Sequence, residues 1–226
     1  MEKMFIKSIF GCLLIILISY FDSFGAMYKP GTYKASAIGK ESKGHSGIVE
    51  LEVEVSESKI ESINILSYEQ SMDHRKYGPL VKKAQLEIPS SIINKQTVNV
   101  DGIVKATISS DAIKLAVAKA LLKATIKYTP GTYKGFATGK KGKGYDGNVE
   151  VEVKVSESRI EDIKVITYKQ SIDHKRYGPS VKKAKNIIPD EIIQKQSIDV
   201  DAIAKATISS IAIQLAVANA LEKARK

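Results

Sequence analysis

Apolar and polar side chains alternate strictly along Ile48–Val55, whose sequence is IVELEVEV. A period of two is typical of a strand with one face in a core and the other in water. Residues 31–39 form a further strand-like run, as do residues 59–68, and the turn at Glu57 and Ser58 joins the latter to Ile48–Val55 as a hairpin. The pattern therefore predicts a small antiparallel sheet.

The spacing changes to a helical one after this sheet. Residues 80–96 have helical periodicity that is interrupted at Pro89, which predicts that a second short helix begins there. A brief extended piece follows at residues 98–100, and residues 110–124 are rich in Ala and Leu without Gly or Pro, as expected of a long helix. Strands followed by helices predict an α+β fold in which the helices pack on one sheet face.

The whole pattern occurs twice, at a constant offset of 100 residues. Tyr28 to Lys34 recur as Tyr128 to Lys134 with one replacement, and residues 106–110 recur unchanged as residues 206–210. Two units are too few for a solenoid, and each is long enough to fold alone. We therefore predict two tandem small domains, residues 27–126 and residues 127–226.

The first 26 residues have a different character. Lys3 and Lys7 precede an apolar run at residues 9–21, and small residues follow it. This order is that of a signal peptide, and the run is shorter than the roughly 20 residues that span a bilayer. We expect residues 1–26 to be a signal peptide, with an uncleaved membrane anchor as the alternative, and the protein to be exported to the periplasm or cell envelope.

Charge and composition narrow the chemistry. The formal net charge is +10, which favours acidic partners or anionic membranes, but Lys and Arg are spread along the chain and predict no nucleic-acid groove. Cys12 is the single cysteine and lies in the apolar run, so no thiol chemistry is expected after cleavage. We predict no metal site, no catalytic residue and a monomer.

The densest group of candidate residues lies before the long helix. Residues 100–110 read VDGIVKATISS, and residues 200–210 read VDAIAKATISS. Hydroxyl side chains and free N–H groups at a helix start suit a bound phosphate. Ser109 or Ser110 could equally serve as a simple helix cap, so the residues alone leave both interpretations open.

This segment resembles the signature of the FMN-binding domain family, Asp-x-x-(Ser/Thr)-Gly-Ala-Thr-x-(Ser/Thr)-Ser, found in bacterial respiratory electron-transfer proteins. The likeness extends over nearly all of both copies, including the Gly-x-Tyr opening, both later strands and the final Ala/Leu-rich helix. It implies bound FMN, with Thr107 and Thr207 as acceptors of a covalent link to its phosphate, and Asp101 and Asp201 as the aspartates that a flavin transferase recognises. The full implied set is Asp101, Lys105, Ala106, Thr107, Ser109, Ser110, Asp201, Lys205, Ala206, Thr207, Ser209 and Ser210.

The sequence departs from the signature at one position in both copies. The family's Gly is Lys105 in the first copy and Lys205 in the second. Glycine adopts positive φ at little cost, whereas lysine resists it and adds a bulky cation. Three outcomes are open: a covalent flavin, a flavin bound without a covalent link with the lysines pairing its phosphate, or a fold without flavin.

A second candidate group lies in the loop before the first helix, DHRKYGP in one copy and DHKRYGP in the other. His74, Tyr77, His174 and Tyr177 would border or stack on a flavin ring, as aromatic faces do. The alternative is a basic, solvated turn that starts the helix.

These observations favour an exported electron-transfer module with FMN at the helix start of each copy, acting as a carrier more than as an enzyme. Its expected partners are a membrane-associated redox protein and a flavin transferase. The alternative is a non-redox binding protein of the cell envelope that keeps the fold without flavin.

Overall fold

The computed structural model describes residues 26–39, 44–139, 141–142 and 144–225. The first copy contains β1 (Gly31–Ile38), β2 (Ile48–Val55), β3 (Ile60–Tyr68), α1 (Gly78–Lys95) and α2 (Thr107–Ala124). The second contains β4 (Gly131–Thr138), β5 (Asn148–Val155), β6 (Ile160–Tyr168), α3 (Gly178–Lys195) and α4 (Thr207–Ala224). The predicted α+β architecture, with two tandem copies, is confirmed.

Each sheet has three antiparallel strands with the middle strand of the sequence in the centre, in the order β1-β2-β3 and β4-β5-β6. Along β2 the apolar positions Val49, Leu51 and Val53 are fully buried, while Glu50 and Glu54 are exposed. The alternation read from the sequence therefore separates a core face from a wet face.

Helices α2 and α4 form the centre of the molecule. α2 packs on β1 and β2, on α1 and on α4, and its buried positions lie on every side of the helix. Its alanines permit these close approaches. In the second copy the approach is closer still, because a Cβ on Gly135 of β4 would lie 1.9 Å from the Ala216 carbonyl oxygen of α4.

The prediction that a new helix begins at Pro89 is wrong. α1 runs without a break from Gly78 to Lys95, with Pro89 inside it and buried, and α3 does the same around Pro189. The carbonyl that Pro89 leaves without an N–H donor is that of Gln85, while the Ser90 hydroxyl donates to the neighbouring Leu86 carbonyl at 3.0 Å. Burial of the proline ring in the core offsets the missing helical hydrogen bond.

The two copies pack against each other through α2 and α4, and their cores form one hydrophobic cluster. Arg225, directly after α4, donates to the Tyr28 hydroxyl at 3.4 Å, and Tyr28 is bridged to Thr125 directly after α2. The carboxyl ends of the two helices therefore meet. No helix of the described residues is long and apolar enough to cross a bilayer, and residues 1–25 of the segment 1–26, interpreted as a signal peptide, lie outside them.

The copies differ in the first turns of these helices. In α2 the buried Asp111 carboxylate pairs with Lys114 at 2.7 Å, and burial raises the pKa of Asp111 against the opposing effect of the Lys114 charge. In α4 the same positions are Ile211 and Gln214. The same two helix positions are thus occupied by an ion pair in the first copy and by uncharged residues in the second.

This difference predicts the behaviour of two variants. Asp111→Ile alone leaves the Lys114 ammonium without its carboxylate and should lower the free energy of unfolding by about 3 kcal/mol. Asp111→Ile with Lys114→Gln reproduces the second copy and should restore stability to within about 1 kcal/mol of the original chain. Urea denaturation measures both, and equal stability of the single and double variants would contradict the interpretation.

Candidate functional site

The chain enters α2 through a left-handed residue. Lys105 has φ of 68°, and Lys205 has φ of 67° before α4. The expectation that lysine would oppose positive φ at this position is corrected: the backbone keeps the conformation that glycine would adopt, at a cost of about 1 kcal/mol. Because the strained backbone occurs in both copies, the surrounding contacts must hold it in this conformation.

The hydroxyl of Ser110 holds this turn in its conformation. Its hydroxyl donates to the Ala106 carbonyl at 3.0 Å and accepts the Ile103 N–H at 3.0 Å, and the Ala106 N–H donates to the Ile103 carbonyl at 2.9 Å. Ser210 makes the same two bonds with Ala206 and Ile203. The buried serine therefore closes the turn that contains the strained lysine.

Ser109 ties the helix start to the rest of the copy. Its hydroxyl donates to Gln70 Oε1 at 2.9 Å, and Gln70 Nε2 in turn donates to the carbonyl of Gly47 at the end of the glycine-rich turn. Ser209 and Gln170 form the same link at 3.0 Å. The serines that the sequence assigns to cofactor binding are thus buried and engaged within the fold.

Thr107 differs from both serines. It is the first residue of α2 and is exposed, and among the described residues its hydroxyl has no hydrogen-bond partner; Thr207 is half-buried and equally free. The N–H groups of the first three helical residues also have no acceptor within the described chain, and the helix start has no side-chain cap. Each copy therefore presents one free hydroxyl at an uncapped helix N-terminus.

The charged members of the segment lie at the surface on the N-terminal side of this threonine in the chain. Asp101 and Lys105 are exposed, as are Asp201 and Lys205, while Ala106 and Ala206 are buried. Val104 is 77% exposed. A positive charge thus directly precedes the uncapped helix end, where it adds to the positive pole of the helix dipole.

The loop before α1 is held by its histidine. His74 Nδ1 accepts the N–H groups of Lys76 and Tyr77 at 3.1 and 3.2 Å, and the ring of His74 lies 4.9 Å from that of Tyr77. His174 and Tyr177 repeat this arrangement with ring centroids 4.6 Å apart. Tyr77 stays 37% exposed, but the Lys76 ammonium lies 5.5 Å from its ring centroid, as Arg176 does over Tyr177 at 5.4 Å, so each ring is partly covered by a cation.

A groove lies beside Gln170 in the second copy, with a volume of about 640 Å³. Tyr145, Lys169 and Asp173 line it, so it separates the glycine-rich turn from the loop that leads to α3. In the first copy the residue equivalent to Tyr145 is His45, whose Nε2 lies 2.7 Å from Asp73 Oδ1. The copies therefore differ beside Gln70 and Gln170, the glutamines that hold the helix start.

Sequence reasoning missed the residues that organise this end of the sheet. Gln70 and Gln170 carry no motif that marks them, and their role depends on contacts between distant segments. Burial raises the pKa of Tyr68 to about 12, with the nearby Ser109 hydroxyl opposing this effect, and the pKa of Tyr168 likewise to about 12. Both phenols stay protonated and donate to helix carbonyls. Within the described residues no cluster of potential metal ligands occurs.

Comparison with known proteins gives the same division of the chain. Residues 44–122 and residues 144–222 each match the FMN-binding domain family. The chain is also 32% identical over 116 residues to an NADH:acrylate oxidoreductase of Vibrio harveyi, covering 51% of this chain and 10% of that protein. It is 32% identical over 96 residues to an uncharacterised protein of Treponema pallidum (strain Nichols), covering 42% of this chain and 24% of the relative.

A crystal structure of the CPE2226 protein from Clostridium perfringens is similar at 23% identity with a TM-score of 0.34, covering 43% of this chain and 88% of that one. The chain covers only a minor part of the length of these two relatives.

The geometry of the helix start fits a phosphate-bearing cofactor. The free Thr107 hydroxyl and three unpaired N–H groups lie at the first turn of α2, and the exposed Lys105 precedes them by two residues in the chain; all are donors or positive charges suited to a phosphate. The same group recurs at Thr207. The chain belongs to the FMN-binding domain family, with one domain of that family in each copy and FMN as its cofactor.

Proposed function

We propose that this protein is an exported electron-transfer module that holds one FMN at the start of α2 and one at the start of α4. It would act as a carrier between a membrane-associated electron donor and a soluble acceptor. The similarity to a protein named NADH:acrylate oxidoreductase supports a redox role for such a module.

The observation that carries the proposal is a difference in hydrogen bonding among the hydroxyls of the motif. Ser109 and Ser110 are buried, and their hydroxyls are hydrogen-bonded to Gln70 and to the Ala106 carbonyl, whereas the Thr107 hydroxyl is exposed and free. A hydroxyl that served only as a helix cap would accept a backbone N–H, which this one does not. Its position suits a phosphoester link or a direct hydrogen bond to the FMN phosphate.

Lys105 and Lys205 would supply charge to the same phosphate. Each is exposed and directly precedes the uncapped helix end, where an ammonium group attracts an anion as a point charge. The left-handed backbone at these lysines is one that glycine adopts at little cost. Lysine at the position where the resemblance implies glycine therefore adds a cation to a left-handed turn.

FMN supplies reversible uptake of electrons and protons when it is bound, and the protein's part is to hold it and set its exposure. The exposed rings of Tyr77 and Tyr177 are candidate surfaces against which a planar ring would stack. The histidines beside them fix the loop by accepting two backbone N–H groups each. These residues would shape the surroundings of the flavin without taking part in bond changes.

Export and partner choice are supported by sequence features. Residues 1–26 have the order of a signal peptide or anchor, which would place the protein in the periplasm or cell envelope. The net charge of +10 suits docking on an acidic redox partner or an anionic membrane.

Replacing the free hydroxyls tests the cofactor site. The full-length chain is co-expressed with a flavin transferase, and its visible absorbance and intact mass are recorded. We expect Thr107→Ala and Thr207→Ala each to remove one covalent FMN and the double variant to remove both, because the hydroxyl is the acceptor. If the link is not covalent, the same variants should weaken FMN binding at their own copy.

Thr32→Ala and Thr132→Ala are the matched controls, since both threonines are exposed on strands at the other end of their copies' sequence. They should retain full flavin content. A colourless wild-type chain at its unmodified mass, with no FMN affinity on titration, would refute the proposal and favour a non-redox envelope protein. That alternative predicts binding to polyanions that weakens steeply with salt.

Lys105→Gly separates the two contributions of the lysine. Glycine relieves the left-handed backbone and should raise the free energy of unfolding by about 1 kcal/mol. Loss of the ammonium should weaken non-covalent FMN binding at the first copy about tenfold. Urea denaturation and FMN titration measure the two effects, and Lys105→Arg, which keeps both charge and backbone strain, should match the original chain. A glycine variant with unchanged affinity would exclude the phosphate contact.

A further inference from the structure

The segment that leads into the motif of the second copy, residues 198–200, is held from within that copy by one side chain. Gln214 Nε2 of α4 donates to the Ile198 carbonyl at 3.1 Å and to the Val200 carbonyl at 2.8 Å. Gln214 is buried, so this bond pair is shielded from water. Asp201, the first residue of the motif, follows directly.

The same segment is held from the other copy by an ion pair. Asp199 lies between the two carbonyls that Gln214 binds, and its Oδ1 is 2.7 Å from Nζ of Lys119 on α2. The Lys119 side chain is 9% exposed and Asp199 is 51% exposed. A nearly buried ammonium left without its carboxylate is strongly unfavourable, so α2 of the first copy constrains where this segment lies.

No equivalent ion pair acts in the opposite direction, because the corresponding residues are Asn219 and Asn99. Asn219 Nδ2 donates instead to the Phe136 carbonyl within its own copy at 2.6 Å. The second copy does contact the equivalent segment of the first: the Val98 N–H donates to Glu222 Oε2, at the longer distance of 3.4 Å. In the first copy Lys114 replaces Gln214 and reaches the Val100 carbonyl at 3.5 Å.

We propose that Lys119 is a positioning residue through which the first copy sets the geometry of the FMN site in the second. The inference rests on the proposed function, since it concerns the flavin at Thr207. The two copies are then not independent carriers: the site at Thr207 is complete only when α2 of the first copy is packed beside it. The site at Thr107 lacks an ionic tie of this kind among the described residues.

Thermodynamic linkage gives the expected size of the effect. If the Lys119–Asp199 pair favours the binding geometry at Thr207, removing it weakens FMN binding there, and FMN in turn strengthens the pair by the same factor. Lys119→Met should therefore weaken FMN binding at the second copy by roughly fivefold or more and leave the first copy unaffected. Asp199→Asn should have the same effect, while Lys119→Arg, which keeps the charge, should bind FMN at the second copy as the original chain does.

The experiment uses full-length chains expressed without a flavin transferase, so that FMN binds without a covalent link; Thr107→Ala weakens the first copy so that the second dominates the titration, and Thr207→Ala does the reverse. FMN titration then gives a separate affinity for each copy in each variant. Lys123→Met is the matched control, because Lys123 lies on the same helix and its ammonium contacts the Lys34 carbonyl of its own copy. Equal weakening at both copies, or none at either, would overturn the proposal.

Hydrogen exchange of the flavin-free chain gives a second measurement that does not depend on cofactor. Lys119→Met should speed amide exchange in residues 198–203 and leave residues 98–103 unchanged, and Lys123→Met should change neither. A wild-type chain that takes up no FMN would refute the proposed function, and hydrogen exchange alone would then decide whether Lys119 positions this segment. Unchanged exchange in the Lys119→Met variant would refute the positioning role.

Discussion

The burial of α2 and α4 on every side is the constraint on which the rest of the molecule depends. Each helix fills the core of its own copy and at the same time forms the contact between the copies. A helix so enclosed cannot shift or rotate without opening several interfaces, since protein interiors are close-packed. Its first residue is therefore fixed in space, and that residue is Thr107 in one copy and Thr207 in the other.

This fixed helix start explains why the motif can carry strain. The left-handed lysine before α2 costs free energy, yet Ser110 closes the turn on one side and Ser109 anchors it to Gln70 on the other. Buried hydroxyls with satisfied hydrogen bonds stabilise a single conformation of the turn. The threonine between the strained residue and the two serines remains free, which is the arrangement that a cofactor site requires: a rigid frame around an uncommitted group.

The sequence contains enough information to predict all six strands and the body of the long final helices, because period-two alternation and Ala/Leu-rich runs report directly on local structure. The helices begin three residues before the predicted start, so Ser109 and Ser110 lie inside the first turn and the interpretation of either as the helix cap is wrong. It predicts Pro89 wrongly, since proline opposes a helix locally and only the tertiary packing of its ring reverses that preference. The motif residues are visible in the sequence, but their division into structural serines and a free threonine is not. That division depends on Gln70, which lies 39 residues from Ser109.

The two copies show which parts of the fold tolerate change. They share the free threonine, the left-handed lysine and the glutamine anchor. They differ at the buried pair near the helix start, which is Asp111 and Lys114 in the first copy and Ile211 and Gln214 in the second. They differ again at His45 and Tyr145, and at the ends of the ion pair between Lys119 and Asp199. All of these differences surround the site without altering the hydroxyl itself. The two copies therefore keep the same free hydroxyl and differ in the charges and polar groups near it, so under the proposed function the same cofactor would lie in two different electrostatic environments.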